Sequence, residues 1–267
     1  MSKSYSPIQI YEGKQFTVDV LDRPKDFYMH NRRYAASVIM QVTYGHRIPV
    51  CKSRMWLTIT DMKGDSEEIR QIYGVLTRFA TFRRPGAYLI DVVPELENYP
   101  LYDTISGWRK VANEIHKQDT AVFTHFWDKM RKEIEDGTAP HSWGKIFVQS
   151  DYSKHGIDEL CAIYAAYDSH KTRLMNRGAM IEAGSETTSQ ALNNTIVGLL
   201  SNPEAIVKCH EELDRVVGED RTPTFDDMPN LHWIWALVKV MPSIPTVDIG
   251  NDALEANDQT WDEPLSH

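Results

Sequence analysis

The sequence predicts a mainly α-helical fold. Long segments of mixed charge carry apolar residues at helical spacing, and short turns rich in proline or glycine separate them. Runs that alternate apolar and polar residues, as half-buried strands do, are few. The chain has 267 residues, 42% of them hydrophobic, which is enough apolar surface for a large core.

Three helices are predicted in the first third of the chain. The first opens at Ser6-Pro7 and runs toward Leu21, since proline suits the first turn of a helix. The second spans residues 26–44 and stops at a glycine. The third begins at residue 65 or 66, with acidic residues that favour the helix dipole at its start, and the turn at Pro85-Gly86 ends it.

The middle of the chain is predicted to hold one long amphipathic helix over residues 106–135. Residues 88–94 before it are expected to form an extended connection because of Pro94 and Pro100, with a strand as the minor alternative. Aromatic residues on such a helix are usually core, which we favour over a pocket that receives a substrate. They are Trp108, Phe123, Phe126 and Trp127.

The last helices are expected within residues 156–200, at 204–217 and at 230–239. The composition then changes abruptly. Residues 240–267 contain three prolines and six acidic residues but no Lys or Arg, which predicts a disordered acidic tail.

Composition excludes several functional classes. The formal charge of −9, with no dense block of Lys or Arg, argues against a nucleic-acid partner. Three widely spaced cysteines suggest neither a disulfide framework nor a metal cluster. We also expect no signal peptide and no transmembrane segment in this chain, because no apolar run reaches the necessary length.

The segment from Gly178 to Ser189 carries the most information about chemistry. Small or hydroxylated residues recur there every four positions, so they share one face of a helix. They are Ala183, Thr187, Ala191 and Thr195. Such a face permits either close packing of a second helix, which the spacing alone favours, or the close approach of a flat, bulky ligand.

The order of residues in this segment resembles a known family. Ala183-Gly-Ser-Glu-Thr-Thr188 resembles the motif of the long oxygen-binding helix in cytochromes P450, and residues 200–218 and 221–231 resemble the parts that follow it. Residues 32–47 and 85–94 look like fungal members of the family. The resemblance covers roughly residues 5–239 and implies that residues 1–239 form the central portion of a P450 helical domain.

The resemblance implies a haem cofactor, a small lipophilic substrate and electrons from a P450 reductase. Thr187 would help to deliver protons to bound dioxygen, and Glu186 would support that relay, while Ala183, Gly184 and Thr188 would lie beside the haem. A threonine hydroxyl both donates and accepts hydrogen bonds, and a neighbouring acid can exchange protons with solvent. The alternative for Glu186 is an ordinary solvated carboxylate.

Several family features have no counterpart in this sequence. The haem-binding cysteine of the family lies in a Phe-x-x-Gly-x-x-x-Cys-x-Gly loop, and none of Cys51, Cys161 and Cys209 has that context. Val240 and Ser243 stand where the family has its Glu-x-x-Arg pair. We therefore expect a chain that is cut at both ends, without the membrane anchor that places full-length relatives at the endoplasmic reticulum. It would not retain haem and would be inactive, with a non-catalytic helical remnant or interaction protein as the alternative.

Residues 167–177 are predicted to be an insertion, because family-like sequence stops before them and resumes after them. The tail at 240–267 begins as abruptly. Both are hypothesised to be translated introns or errors of the gene model, which a comparison of spliced transcripts with the coding sequence would test.

Overall fold

The computed structural model describes residues 2–49, 67–82, 86, 88–159, 162–163 and 180–240. Within these ranges the fold is helical and contains no strand, which confirms the predicted class. The α-helices are α1 Ser6–Asp22, α2 Phe27–Tyr44, α3 Glu67–Phe82, α4 Pro100–Ser106, α5 Trp108–Glu135, α6 Trp143–Gln149, α7 Met180–Leu200, α8 Pro203–Val216 and α9 His232–Val240.

Helix α2 is the centre of the described structure. It packs against α1 and α7 over most of its length and also contacts α3, α5 and α6. Because neighbours surround it, α2 buries polar residues as well as apolar ones: Asn31, Arg33, Ser37 and Thr43 are buried beside Ala35, Ala36, Met40 and Tyr44. Buried polar groups require partners, and these partners set the position of the neighbouring helices.

A buried charge network joins α1 to α2. Arg33 donates from Nη1 to Glu12 Oε2 at 2.7 Å and from Nε to Asp19 Oδ2 at 2.9 Å. Arg47, just after α2, donates from Nε to the second Glu12 oxygen at 2.6 Å. Burial acts to raise the pKa of Glu12, but the hydrogen bonds from the two arginines outweigh it, so this pKa lies below its ordinary value.

The apolar core lies between α2, α3 and α5, with α6 on one side. Trp127 of α5 is 0% exposed and meets the rings of Phe147 and Tyr152 edge-on, at centroid distances of 6.5 and 6.2 Å. Phe123 and Phe126 belong to the same core. The interpretation of these aromatic residues as core is confirmed.

Three details differ from the predictions. The long helix begins at Trp108 and not at residue 106, because Gly107 adopts a left-handed conformation (φ 64°) that separates it from α4. Residues 88–94 are not an extended connection: a 3-10 helix covers Leu89–Asp91, and the N–H groups of residues 92 and 93 bond to the Leu89 carbonyl. Helices α4 and α6 were not predicted, although the N-cap of α6, Ser142, accepts from the Lys145 N–H at 3.2 Å.

Some predictions fall on residues outside the described ranges. The insertion at 167–177 is one of them, and the tail is another, apart from Val240, which is the last residue of α9. Of the helices that the structure describes, none combines the length and apolar character needed to cross a membrane.

Candidate functional site

Helix α7 packs on α2 through a row of residues at four-residue spacing. Ile181, Ser185, Ser189 and Asn193 are all buried, and they share one face of the helix. Asn193 accepts a hydrogen bond at 2.6 Å from the side-chain amide of Asn31 on α2, and both residues are buried. This row is offset from the predicted row of Ala183, Thr187, Ala191 and Thr195, so helix packing falls chiefly on a different face.

Gly184 allows α2 to approach α7 closely. A Cβ atom at this position would lie 2.8 Å from both Cγ1 and Cδ1 of Ile39, which is closer than van der Waals contact permits. Packing against Ile39 therefore accounts for a glycine here without any ligand. The predicted place of Gly184 beside a cofactor stays a prediction.

The three residues that follow the buried Ser185 lie at the surface. Glu186, Thr187 and Thr188 are all exposed, so this part of α7 presents one carboxylate and two hydroxyls to solvent. The side chain of Ala183 lies outside what the structure describes. Further along the helix, the hydroxyl of Thr195 donates to the carbonyl of Ala191 at 2.8 Å and is thereby occupied within its own helix.

Glu186 has a cationic partner on α2. Arg32 Nη2 lies 3.7 Å from Glu186 Oε2, and the Glu186 side chain is still 48% exposed. The guanidinium of Arg32 lies over the ring of Tyr73 from α3 at 4.4 Å and over that of Tyr28 at 5.3 Å. The site therefore combines a paired carboxylate with the hydroxyls of Thr187 and Thr188 on one exposed turn of α7.

Comparison with known sequences identifies the family of this chain. The family described as Cytochrome P450 matches residues 21–239, which is most of the chain. The chain belongs to the cytochrome P450 family. The predicted resemblance is confirmed, including its fungal character, since the similar proteins described next come from fungi.

The cytochrome P450 monooxygenase verL of Clonostachys rogersoniana is 34% identical over 240 residues, covering 89% of this chain and 40% of the relative. Cytochrome P450 monooxygenase 231 of Postia placenta is 30% identical over 215 residues, covering 78% of this chain and 35% of the relative. The cytochrome P450 monooxygenase polD of Polytolypa hystricis is 29% identical over 232 residues, covering 86% of this chain and 40% of the relative. The chain thus spans about 40% of the length of verL and polD and 35% of the Postia protein.

The P450 family implies haem, so the described residues can be tested as partners for it. The exposed Glu186, Thr187 and Thr188 have the polar character expected on the oxygen side of a haem, although Glu186 also pairs with Arg32 of α2. Among the residues described here, no group of three or more His, Cys, Asp or Glu side chains is arranged to hold a metal ion. The described residues therefore supply polar groups suited to the oxygen side of a haem and, among themselves, no cluster of metal ligands.

The thiolate side of the haem has no described candidate. Cys209, on α8, is the cysteine that the described ranges contain, and its side chain is buried. Burial, followed by the charge of Glu212, raises the pKa of this thiol, which disfavours the thiolate that iron requires. Cys51 and Cys161 lie outside the described residues.

Glu186, Thr187 and Thr188 lie on one exposed turn of α7, and their predicted roles stay predictions. The structure adds Arg32 beside them, which the sequence analysis did not select. Arg32 was noted only as part of a family-like segment, and its pairing joins residues 154 positions apart, so no local pattern could reveal it.

Proposed function

We propose that this chain forms the oxygen-side helices of a cytochrome P450 monooxygenase that oxidises a small lipophilic substrate with electrons from a reductase. Haem, when bound, supplies the activation of dioxygen. The residues of this chain hold and move protons beside it: Thr187 donates and accepts hydrogen bonds through one hydroxyl, and Glu186 exchanges protons with solvent.

One observation carries this proposal. Helix α7 packs on α2 through its row from Ile181 to Asn193, while Glu186, Thr187 and Thr188 stay exposed. A turn whose only purpose was helix packing would bury small residues and would have no need of an acid–alcohol pair at its surface. The named monooxygenase activity of the fungal relatives supports the same assignment.

The role of Thr187 can be tested in a full-length relative. Residues 180–200 of this chain replace the corresponding helix of the Clonostachys rogersoniana monooxygenase, and product formation is measured together with electron-donor consumption. In the chimera, Thr187→Ala is expected to lower the product formed per electron pair about ten-fold or more, because general acid–base groups contribute ~100-fold or more.

The matched control in the chimera is Thr195→Ala, which removes a threonine hydroxyl from a later turn of the same helix, where it donates to the Ala191 carbonyl. This variant is expected to keep the parental coupling of electrons to product. Equal coupling in the Thr187 and Thr195 variants would refute a proton-delivery role for Thr187.

We further propose that the 267-residue chain does not catalyse oxidation by itself, since none of its three cysteines lies in the family's haem-binding context. The test adds haemin to the purified chain and records spectra of the dithionite-reduced protein with and without carbon monoxide. The expected result is no thiolate-type Soret band. Such a band would show that Cys51, Cys161 or Cys209 reaches iron, and Cys→Ser variants would identify which one.

A further inference from the structure

Arg32, which pairs with Glu186, is also held in place by contacts that do not involve this carboxylate. The Arg32 side chain is 12% exposed, and its guanidinium lies over two tyrosine rings, 4.4 Å from the centroid of Tyr73 and 5.3 Å from that of Tyr28. Planar guanidinium groups stack well on aromatic faces, and such contacts are stronger where water is excluded. Tyr73 itself is 2% exposed, so one of the two faces is fixed in the core.

The two rings come from different helices. Tyr28 precedes Arg32 by one turn on α2, and Tyr73 lies on α3. The orientation of the guanidinium is therefore set by the packing of α2 against α3 and not by the rotamer of Arg32 alone. Glu186 adds a third helix, α7, to the same cluster.

Within the described part of the chain, Arg32 Nε is buried and makes no hydrogen bond. The guanidinium faces Glu186, with Arg32 Nη2 3.7 Å from Glu186 Oε2. An exposed glutamate on a helix ordinarily samples several rotamers, since water solvates each of them. A fixed cation at one position favours the rotamer that points toward it.

We propose that Arg32 is a positioning residue for the Glu186 carboxylate, held between Tyr28 and Tyr73 so that the acid points to one place beside Thr187. The relevance of this contact to catalysis rests on the proposed function, because that proposal gives Glu186 its role. The contact itself involves only α2, α3 and α7 and is independent of any cofactor.

The first test follows the glutamate directly. The 267-residue chain is labelled with 13C at the glutamate carboxyl carbon, and the Glu186 resonance is identified by its loss in Glu186→Gln. In Arg32→Met, which keeps an aliphatic stem but removes the charge, this resonance is expected to shift and to sharpen because the carboxylate gains mobility.

The matched control is Arg215→Met, since Arg215 on α8 also lies 3.7 Å from a glutamate oxygen, that of Glu212. This variant is expected to leave the Glu186 resonance where it is in the wild type. Arg32→Lys keeps the charge without the planar stack, so it is expected to restore the shift only in part.

The second test is a double-mutant cycle of Arg32→Met and Glu186→Gln by urea unfolding. Half-exposed ion pairs predict a coupling of roughly two- to five-fold in the unfolding equilibrium constant. A merely structural arginine would destabilise the chain with no coupling to Glu186 and an unchanged Glu186 resonance, and this outcome would overturn the proposal. If Arg32→Met does not fold, Arg32→Gln, which also removes the charge, completes the cycle with Glu186→Gln.

Failure of the Arg32 proposal can be distinguished from failure of the proposed function. Suppose that the Glu186 resonance changes in Arg32→Met but the Thr187→Ala chimera forms the parental amount of product per electron pair. The positioning contact would then stand, and the role of Thr187 in proton delivery would be rejected. The reverse pair of results would keep the oxygen-side function and reject Arg32 as its positioning residue.

Discussion

Replacing Arg33 by methionine is expected to lower the free energy of unfolding by about 3–5 kcal/mol, because it removes a cation that two buried carboxylates share and leaves Asp19 without its arginine. Glu12 is 0% exposed and Asp19 is 5% exposed, and both accept hydrogen bonds from Arg33. Urea unfolding at neutral pH measures the change. At neutral pH the ionised Glu12 makes its full contribution to the free energy of unfolding. This contribution is present above the ordinary pKa of 4.5 and is lost as the pH falls through the lowered pKa of the folded state.

The control for Arg33 is Arg47→Met. Arg47 also bonds to Glu12, but its side chain is 33% exposed, so water can replace it and the expected cost is about 1 kcal/mol. The double variant Glu12→Gln with Arg33→Met should lose less than the sum of the single variants, since Glu12 and Arg33 form an ion pair that either single variant already breaks. Strict additivity would mean that Arg33 does not stabilise the fold through this carboxylate.

The second large effect is expected at Trp127, where replacement by alanine should cost about 3–5 kcal/mol through the cavity that it leaves in the core. Trp127 is 0% exposed and meets the rings of Phe147 and Tyr152 edge-on. The measurement is urea unfolding followed by far-ultraviolet circular dichroism, which reports the helices of the whole chain.

Trp233 on α9 provides the comparison for Trp127. It is 49% exposed, and the Lys208 ammonium lies 4.5 Å from the centroid of its ring, so Trp233→Ala should cost no more than about 1 kcal/mol. Equal losses at the two tryptophans would contradict the placement of Trp127 in the core. If Trp127→Ala lowers the free energy of unfolding only slightly, the interpretation of Trp127 as part of a substrate pocket would be favoured instead.

The family and most helix positions could be predicted because they depend on short stretches of sequence. The Ala183–Thr188 motif and the segments at 200–218 and 221–231 resembled cytochromes P450, and the match over residues 21–239 confirms that family. Helices α1 and α2 lie within a residue or two of their predicted bounds, since proline starts and glycine stops act locally.

Predictions that depended on which helix face is buried were less accurate. The four-residue spacing assigned helix packing to the row that contains Thr187, yet Ser185 and Ser189 are buried while Thr187 and Thr188 are exposed. The difference is a rotation of the helix about its axis. Gly184 and Ile39 help to set that rotation, and they lie on helices far apart in the chain.

By itself, the sequence determined the helical class, the bounds of α1 and α2 and the family, because each is carried by residues within a few turns of one another. Tertiary structure alone decided that Arg33 is buried between Glu12 and Asp19. It also decided that Arg32 meets Glu186. A charged side chain is placed by partners that approach from other helices, and only the packing of those helices determines which charges meet.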